Sequence, residues 1–274
     1  MRVHCDLLGR AVELPDHPQR IVSLVSSATE IVAALGHTDR LAGVSSYCGR
    51  YVDGLKAPIV GNYVDVDEGA IRDARPDLVL TTTGVQRWVG KRLADEGLPV
   101  YVLPLPNSVY GILEGVRLVG ALVDDMPAAH GLCATMEAGF TDLRNRTSAC
   151  RPRVYSELWL GRHVRTPGGL TYIHDLLTLA GGDPIFGSDR SGYLPVDAAE
   201  VERLRPDIAV IFSEPEYPID SRRLLADRGW DRSLPGLTVV ESSVERGRNL
   251  IHDGPSILDT ARWLHDAFAQ VWGR

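Results

Sequence analysis

The chain has no Cys-x-x-Cys pair: its four cysteines stand at 5, 48, 133 and 150, so a zinc or dithiol redox motif is unsupported. Four cysteines allow two disulfides in any of three pairings, but a core of this size does not need them, and they are read as structural thiols. Lysine is nearly absent, with only Lys56 and Lys91. With a formal net charge of −7 and no basic run, the concentrated positive face that a nucleic acid demands is missing. No stretch approaches the roughly 18 apolar residues of a membrane span. Neither nucleotide-binding glycine fingerprint occurs, and Gly43-Val44-Ser45-Ser46-Tyr47 lacks the second glycine of a hydrolase elbow. The eight histidines show no His-x-x-x-His or His-Glu-x-x-His spacing, so no metal site is expected.

What is present is an ordinary soluble balance, 44% hydrophobic and 24% charged residues in 274. Met1 to Glu13 is polar and lacks the apolar run of a signal peptide. That opening fits either a cytosolic start or a mature secreted chain with a new initiator methionine.

An internal repeat organises the chain. Ala70 to Leu80 (AIRDARPDLVL) is answered by Glu200 to Val210 (EVERLRPDIAV), and the two Arg-Pro-Asp triplets, 75–77 and 205–207, lie 130 residues apart. Each reads as a helix, a proline that cannot continue it, and a buried strand. Leu93-Ala94-Asp95-Glu96-Gly97 is matched by Leu225-Ala226-Asp227-Arg228-Gly229, two helix ends with a C′ glycine. Strands follow at Val100 to Leu103 and Leu237 to Val240. Upstream, a helix from Thr29 to Leu35 with Gly36 pairs with Leu170 to Ala180 with Gly181. Strands alternating with helices predict parallel βαβ units, hence two similar doubly wound α/β lobes with ligands at the carboxyl ends of the strands.

Asn107 to Arg146 is helical in pattern, and Pro127, preceded by Asp124 or Asp125 as a cap, opens a helix long enough to join the lobes. The expected division is 1–125, an N-terminal lobe; 126–148, a connecting helix; and 149–274, a C-terminal lobe. Arg20 to Leu24 is expected as the first core strand, and Ser27-x-x-Glu30 has the spacing of a capping box. Arg165-Thr166-Pro167-Gly168-Gly169 offers backbone amides for an anion, or simply a turn.

On these residues the chain resembles a known family. Asp6 to Tyr47, with Gly9-Arg10, Pro18-x-Arg20-Ile21-Val22-Ser23-Leu24, Ala28-Thr29-Glu30, Leu35-Gly36 and Arg-Pro-Asp in both halves, is similar to the cobalamin-, haem- and ferric-siderophore-binding proteins of ABC importers, above all the vitamin B12-binding branch. The resemblance implies a monomeric, non-enzymatic substrate-binding protein that clamps a small-molecule ligand between two lobes joined by one long helix. The ligand would be a corrinoid such as cobalamin, haem or a ferric siderophore rather than a resident cofactor. The same likeness implies a periplasmic or extracytoplasmic place and an importer permease as partner; a cytosolic carrier, or an α/β enzyme using the same cleft, is the alternative.

Relatives that bind cobalamin line the cleft with aromatics, which suit a broad apolar plate with amide fringes. The positions matching by location are Tyr47, Tyr63, Trp159 and Tyr193, each expected just after a strand or in the following loop, and Trp88 at the start of a helix from Val85 to Glu96. Arg50 and Arg246 are candidates for an anionic chelate, and His252 for an axial donor. Importer-coupled relatives dock through one glutamate per lobe; the nearest acids are Glu68 and Glu200, eight and six residues before their prolines.

Overall fold

A computed structural model describes residues 1–147 and 150–272. The chain divides into two compact units, one of Met1–Pro106 with Ile112–Met136, the other of Asn107–Gly111 with Glu137–Arg274. The boundary expected at 148/149 lies outside the described residues, as do positions 273 and 274.

The first unit opens with an antiparallel hairpin, β1 (Arg2–Cys5) and β2 (Arg10–Glu13). There follow β3 (Ile21–Ser23), α1 (Ser26–Ala34), β4 (Leu41–Val44), α2 (Glu68–Asp73), β5 (Leu78–Thr82), α3 (Arg87–Asp95) and β6 (Val100–Leu103). The parallel strands run in the order β4–β3–β5–β6. Every residue of β3, β5 and β6 is buried, as expected of parallel strands covered on both faces. Two helices follow, α4 (Val109–Leu122) and α5 (Met126–Arg146). The break between them falls at Asp124, in a left-handed turn of φ 59°. Asp125 then accepts the Ala128 N–H at 3.1 Å, the cap that Pro127 required. At 21 residues, α5 extends roughly 30 Å; it belongs to the first unit up to Met136 and to the second from Glu137.

The second unit carries β7 (Arg153–Leu160), β8 (His163–Pro167), α6 (Tyr172–Leu179), β9 (Asp183–Pro184), β10 (Tyr193–Leu194), α7 (Ala198–Leu204), β11 (Ile208–Ser213), α8 (Ser221–Asp227), α9 (Trp230–Ser233), β12 (Thr238–Ser242) and α10 (Ile257–Trp272). Its parallel frame is β9–β7–β11–β12, the same order as β4–β3–β5–β6. The added piece is antiparallel: β8 pairs with the last three residues of β7, and β10 with the far edge of β8. One face of this sheet packs Tyr155, Ala209 and Ile211 against Val201, Trp230 and Leu234.

The repeated triplet has a structural reason. Arg75 and Arg205 end α2 and α7 in left-handed conformation, φ 44° and 48°. Asp77 then receives the Gln19 and Arg20 backbone N–H groups, each at 2.8 Å, and the Arg20 guanidinium reaches the Ala74 carbonyl at 2.7 Å. In the second unit Asp207 takes the Arg153 N–H at 2.7 Å, and the Arg153 guanidinium reaches the Leu204 carbonyl at 2.7 Å. A carboxylate and an arginine thus tie the end of a helix to the start of the central strand, twice over.

Three local expectations are corrected. The capping box does not form, because α1 starts two residues early, with Val25 rather than Ser27 at the cap position and no side-chain cap. Ser27 and Glu30 therefore lie inside the helix, both buried. The first core strand is Ile21–Ser23, shorter than Arg20 to Leu24. Arg165–Pro167 is strand rather than an anion loop, and the next amides bond within the chain. Gly168 donates to the Gly192 carbonyl at 2.6 Å and Gly169 to that of Asp189 at 2.8 Å.

Candidate binding site

In a doubly wound sheet, ligands approach where neighbouring strands connect in opposite directions. In the first unit that point lies between β3 and β5. It is closed by Gln86, fully buried, whose amide accepts the Thr82 N–H at 3.2 Å and donates to the Leu24 carbonyl at 2.8 Å. This bridge fixes the start of α3, where Trp88 is 73% exposed. Beyond β6, Leu105 is also exposed, its N–H held by Thr83 Oγ1 at 2.9 Å. An indole and a leucine thus stand in water beyond the carboxyl ends of the adjacent strands β5 and β6.

After β4 the chain forms a tight loop around Cys48. Its thiol is buried, 3.0 Å from Thr29 Oγ1 and 3.2 Å from Ser45 Oγ, and burial pushes its pKa up. The thiol is thus an internal strut. It positions Tyr47 and Arg50, whose guanidinium stacks 5.0 Å from the Tyr47 ring centre. Tyr63, half-buried, lies in a turn organised by Asn62, which accepts the Val64 and Asp65 N–H groups at 2.8 Å.

In the second unit the corresponding point lies between β7 and β11. There the Gly161 N–H donates to Glu214 at 2.7 Å. Trp159 lies inside β7 rather than after it, half-buried, its indole N–H donating to Glu157 at 2.7 Å. Tyr193 sits on the short edge strand β10, half its surface exposed; it too is strand rather than loop. Tyr217 and Leu170, which sequence reasoning passed over, are exposed after β11 and β8. No periodicity marks such residues, because they stand in loops. At the end of β12, Ser242 Oγ donates to the Arg248 carbonyl at 2.8 Å and accepts the Leu250 N–H at 3.0 Å. This folds back the loop that carries Arg246, exposed, and leads to His252, buried.

Glu68 and Glu200 both stand in the first turn of a helix, beside the capping aspartates Asp67 and Asp197. Each pairs with an arginine of its own unit, Glu68 with Arg92 at 2.8 Å and Glu200 with Arg203 at 2.6 Å. Among the described residues no helix is long and apolar enough to cross a membrane, and no three His, Cys, Asp or Glu side chains gather as a metal site.

Residues 21–233 match the family model described as periplasmic binding protein. A cobalamin-binding protein of Halobacterium salinarum is 29% identical over 213 residues, 75% of this chain; the chain spans 57% of that protein's length. Two solved structures share the fold. A possible iron-binding (periplasmic solute-binding) protein of Staphylococcus epidermidis superposes with a TM-score of 0.76 at 22% identity, covering 91% of this chain and 98% of that one. The periplasmic vitamin B12 binding protein of Vibrio cholerae gives 0.72 at 19%, covering 95% and 100%. With two α/β units of matching strand order and a family match across most of its length, the chain belongs to the periplasmic binding protein family.

Proposed function

We propose that this chain is a solute-binding protein that captures cobalamin or a related corrinoid, contacting it with loops at the carboxyl ends of both sheets. The observation that carries the reading is the set of exposed apolar side chains after the parallel strands of each unit: Trp88 and Leu105 in one, Tyr217 in the other. Such surface suits a wide, largely apolar plate fringed with amides. The likeness to the Halobacterium salinarum cobalamin-binding protein points the same way. Tyr47, Tyr63 and Trp159 extend the same surfaces, while Arg50 and Arg246 supply polar contacts beside them; His252 is buried and is not assigned a contact.

Family membership supports a transport role without catalysis, outside the cytoplasmic membrane and coupled to the permease of an ABC importer. Docking through Glu68 and Glu200 would exchange Arg92 and Arg203 for arginines of the permease. Exposed pairs of this kind contribute little to stability, so the exchange is inexpensive.

A haem or ferric siderophore is the second reading, favoured by the stacked Arg50–Tyr47 pair, which offers a cation to an anionic chelate. Titration with cyanocobalamin, haem and ferric siderophores, followed by tryptophan fluorescence and visible absorbance, separates the two. Saturable binding of the corrinoid supports the first; binding of only an anionic chelate selects the second. No saturable binding of any of them would overturn both.

A further inference from the structure

We infer that Glu157 is a positioning residue that locks the Trp159 indole edge-inward, so that the ligand meets carbon surface and no hydrogen-bond donor at this point. The inference rests on the reading above, in which Trp159 touches the ligand.

Successive side chains of a strand alternate between faces, so Tyr155, Glu157 and Trp159 share one face of β7. Glu157 is completely buried, yet it stands at the centre of a cluster that fills its capacity. Its Oε1 accepts the Trp159 indole N–H at 2.7 Å and the Arg228 Nη2 at 3.0 Å. Its Oε2 accepts Arg228 Nη1 at 2.6 Å and the Tyr155 hydroxyl. Two oxygens offer about four acceptor sites, and four donors occupy them.

The supporting groups are themselves fixed. Arg228 caps the end of α8 and lies 4.8 Å over the Trp230 ring, which meets Tyr155 edge-on at 5.8 Å. Burial works against the Arg228 charge, but the bond and attraction to Glu157 outweigh it and raise its pKa. Burial and the neighbouring carboxylate push the Tyr155 hydroxyl up, so it stays a donor.

A buried ion pair of this kind is no more stabilising than well-packed apolar residues of the same volume. Stability alone therefore does not account for a charged strand position here. Three of the four donors come from Tyr155, which is buried in the core, and from Arg228, which is packed over Trp230. The fourth belongs to Trp159, half-buried at the carboxyl end of β7. An indole free to rotate would offer its N–H to a ligand acceptor; one tethered to Glu157 presents only ring carbon. Glu157 thereby sets both the angle of the aromatic wall and its chemical character.

The test uses the intact chain and cyanocobalamin, haem and ferric siderophores as probes. Glu157→Gln and Trp159→Phe should each weaken the ligand that the wild-type protein binds by roughly three- to tenfold, the scale of one side-chain hydrogen bond. The double variant should be no weaker than the poorer single one. If Glu157→Gln lowers the melting temperature but binds like the wild type, the role is structural and the inference falls. Should Glu157→Gln fail to fold, nitrogen-15 indole spectra of the wild-type protein decide: a Trp159 N–H protected from solvent exchange with and without ligand upholds the tether. Exchange at the rate of a free indole overturns it. A wild-type protein that binds none of the probes overturns the ligand reading and the inference with it, whereas binding untouched by Glu157→Gln overturns the inference alone.

Discussion

The Asp207 carboxylate accepts the Arg153 backbone N–H at 2.7 Å, and Asp77 does the same for Arg20 at 2.8 Å in the other unit. These bonds hold the start of the central strand against the turn that ends α2 in one unit and α7 in the other. Asp77→Ala and Asp207→Ala should each destabilise the chain by about 1.5–3 kcal/mol, the range for hydrogen bonds to charged groups. Because the two braces lie in separate units with no shared partners, the double variant should lose close to the sum. Urea unfolding of the three variants measures both statements, and a strongly sub-additive loss would show that the braces are not independent.

A second prediction concerns the crossing of α4 and α5. A Cβ placed on Gly120 would stand 2.4 Å from Ala129 Cβ and 3.3 Å from the Asp125 carbonyl oxygen. Helix backbones must move apart to admit it. Gly120→Ala should cost about 1–3 kcal/mol from overpacking, despite the better helix propensity of alanine. Thermal denaturation checks this; an unchanged melting temperature would mean that the helices separate freely.

Acid should act through Asp125. The Ala128 N–H, and then His37 Nε2 at 2.9 Å, hold its carboxyl below the usual range. A depressed folded-state value means that its contribution is present above the unfolded value of about 3.9 and is lost as pH falls through the folded one. Asparagine caps helices as well as aspartate does, so Asp125→Asn isolates the charge. The variant should be less stable than the wild type near neutrality, with the gap closing as the pH drops below the carboxylate range. Denaturant midpoints across pH measure it, and a constant gap would sink the assignment.

Trp88 should report ligand directly. Its indole is 73% exposed, so covering it by a bound plate should shift its emission to shorter wavelength and protect it from quenchers. Trp88→Ala should remove that signal and weaken a corrinoid by about 1 kcal/mol or more, the upper part of the range for an aromatic contact beyond its area. A bound complex with Trp88 still freely quenched would place the ligand elsewhere.

The repeat was legible because it is written in backbone terms. Pro76 and Pro206 must stop a helix, and the runs Leu78–Thr82 and Ile208–Ser213 are apolar enough to be buried on both faces. Asp125 and Pro127 likewise announce α5. The antiparallel addition was not legible, because its hairpin turns on Gly161 and Arg162 alone, between Leu160 and His163. A two-residue turn with one glycine at φ 59° resembles many loops. Glu30 misled for a related reason: the spacing of a capping box says nothing about where the helix begins, and α1 begins at Ser26. Among the candidate contacts, Trp159 was visible as an aromatic near a strand end. Its partner Glu157 was hidden, since a lone acid in an apolar run reveals nothing of an arginine 71 residues later.

The outer edge of β7 is divided: its first two residues pair with β9 and its last three with β8. One strand therefore has two neighbours on the same side, a parallel one at its beginning and an antiparallel hairpin at its end. The hairpin can lengthen, shorten or change its side chains without disturbing the register of the parallel frame, because the hydrogen bonds of the two portions do not overlap. The end of the strand is thus free to vary as a module, while the part shared with the first unit stays under the constraints of folding.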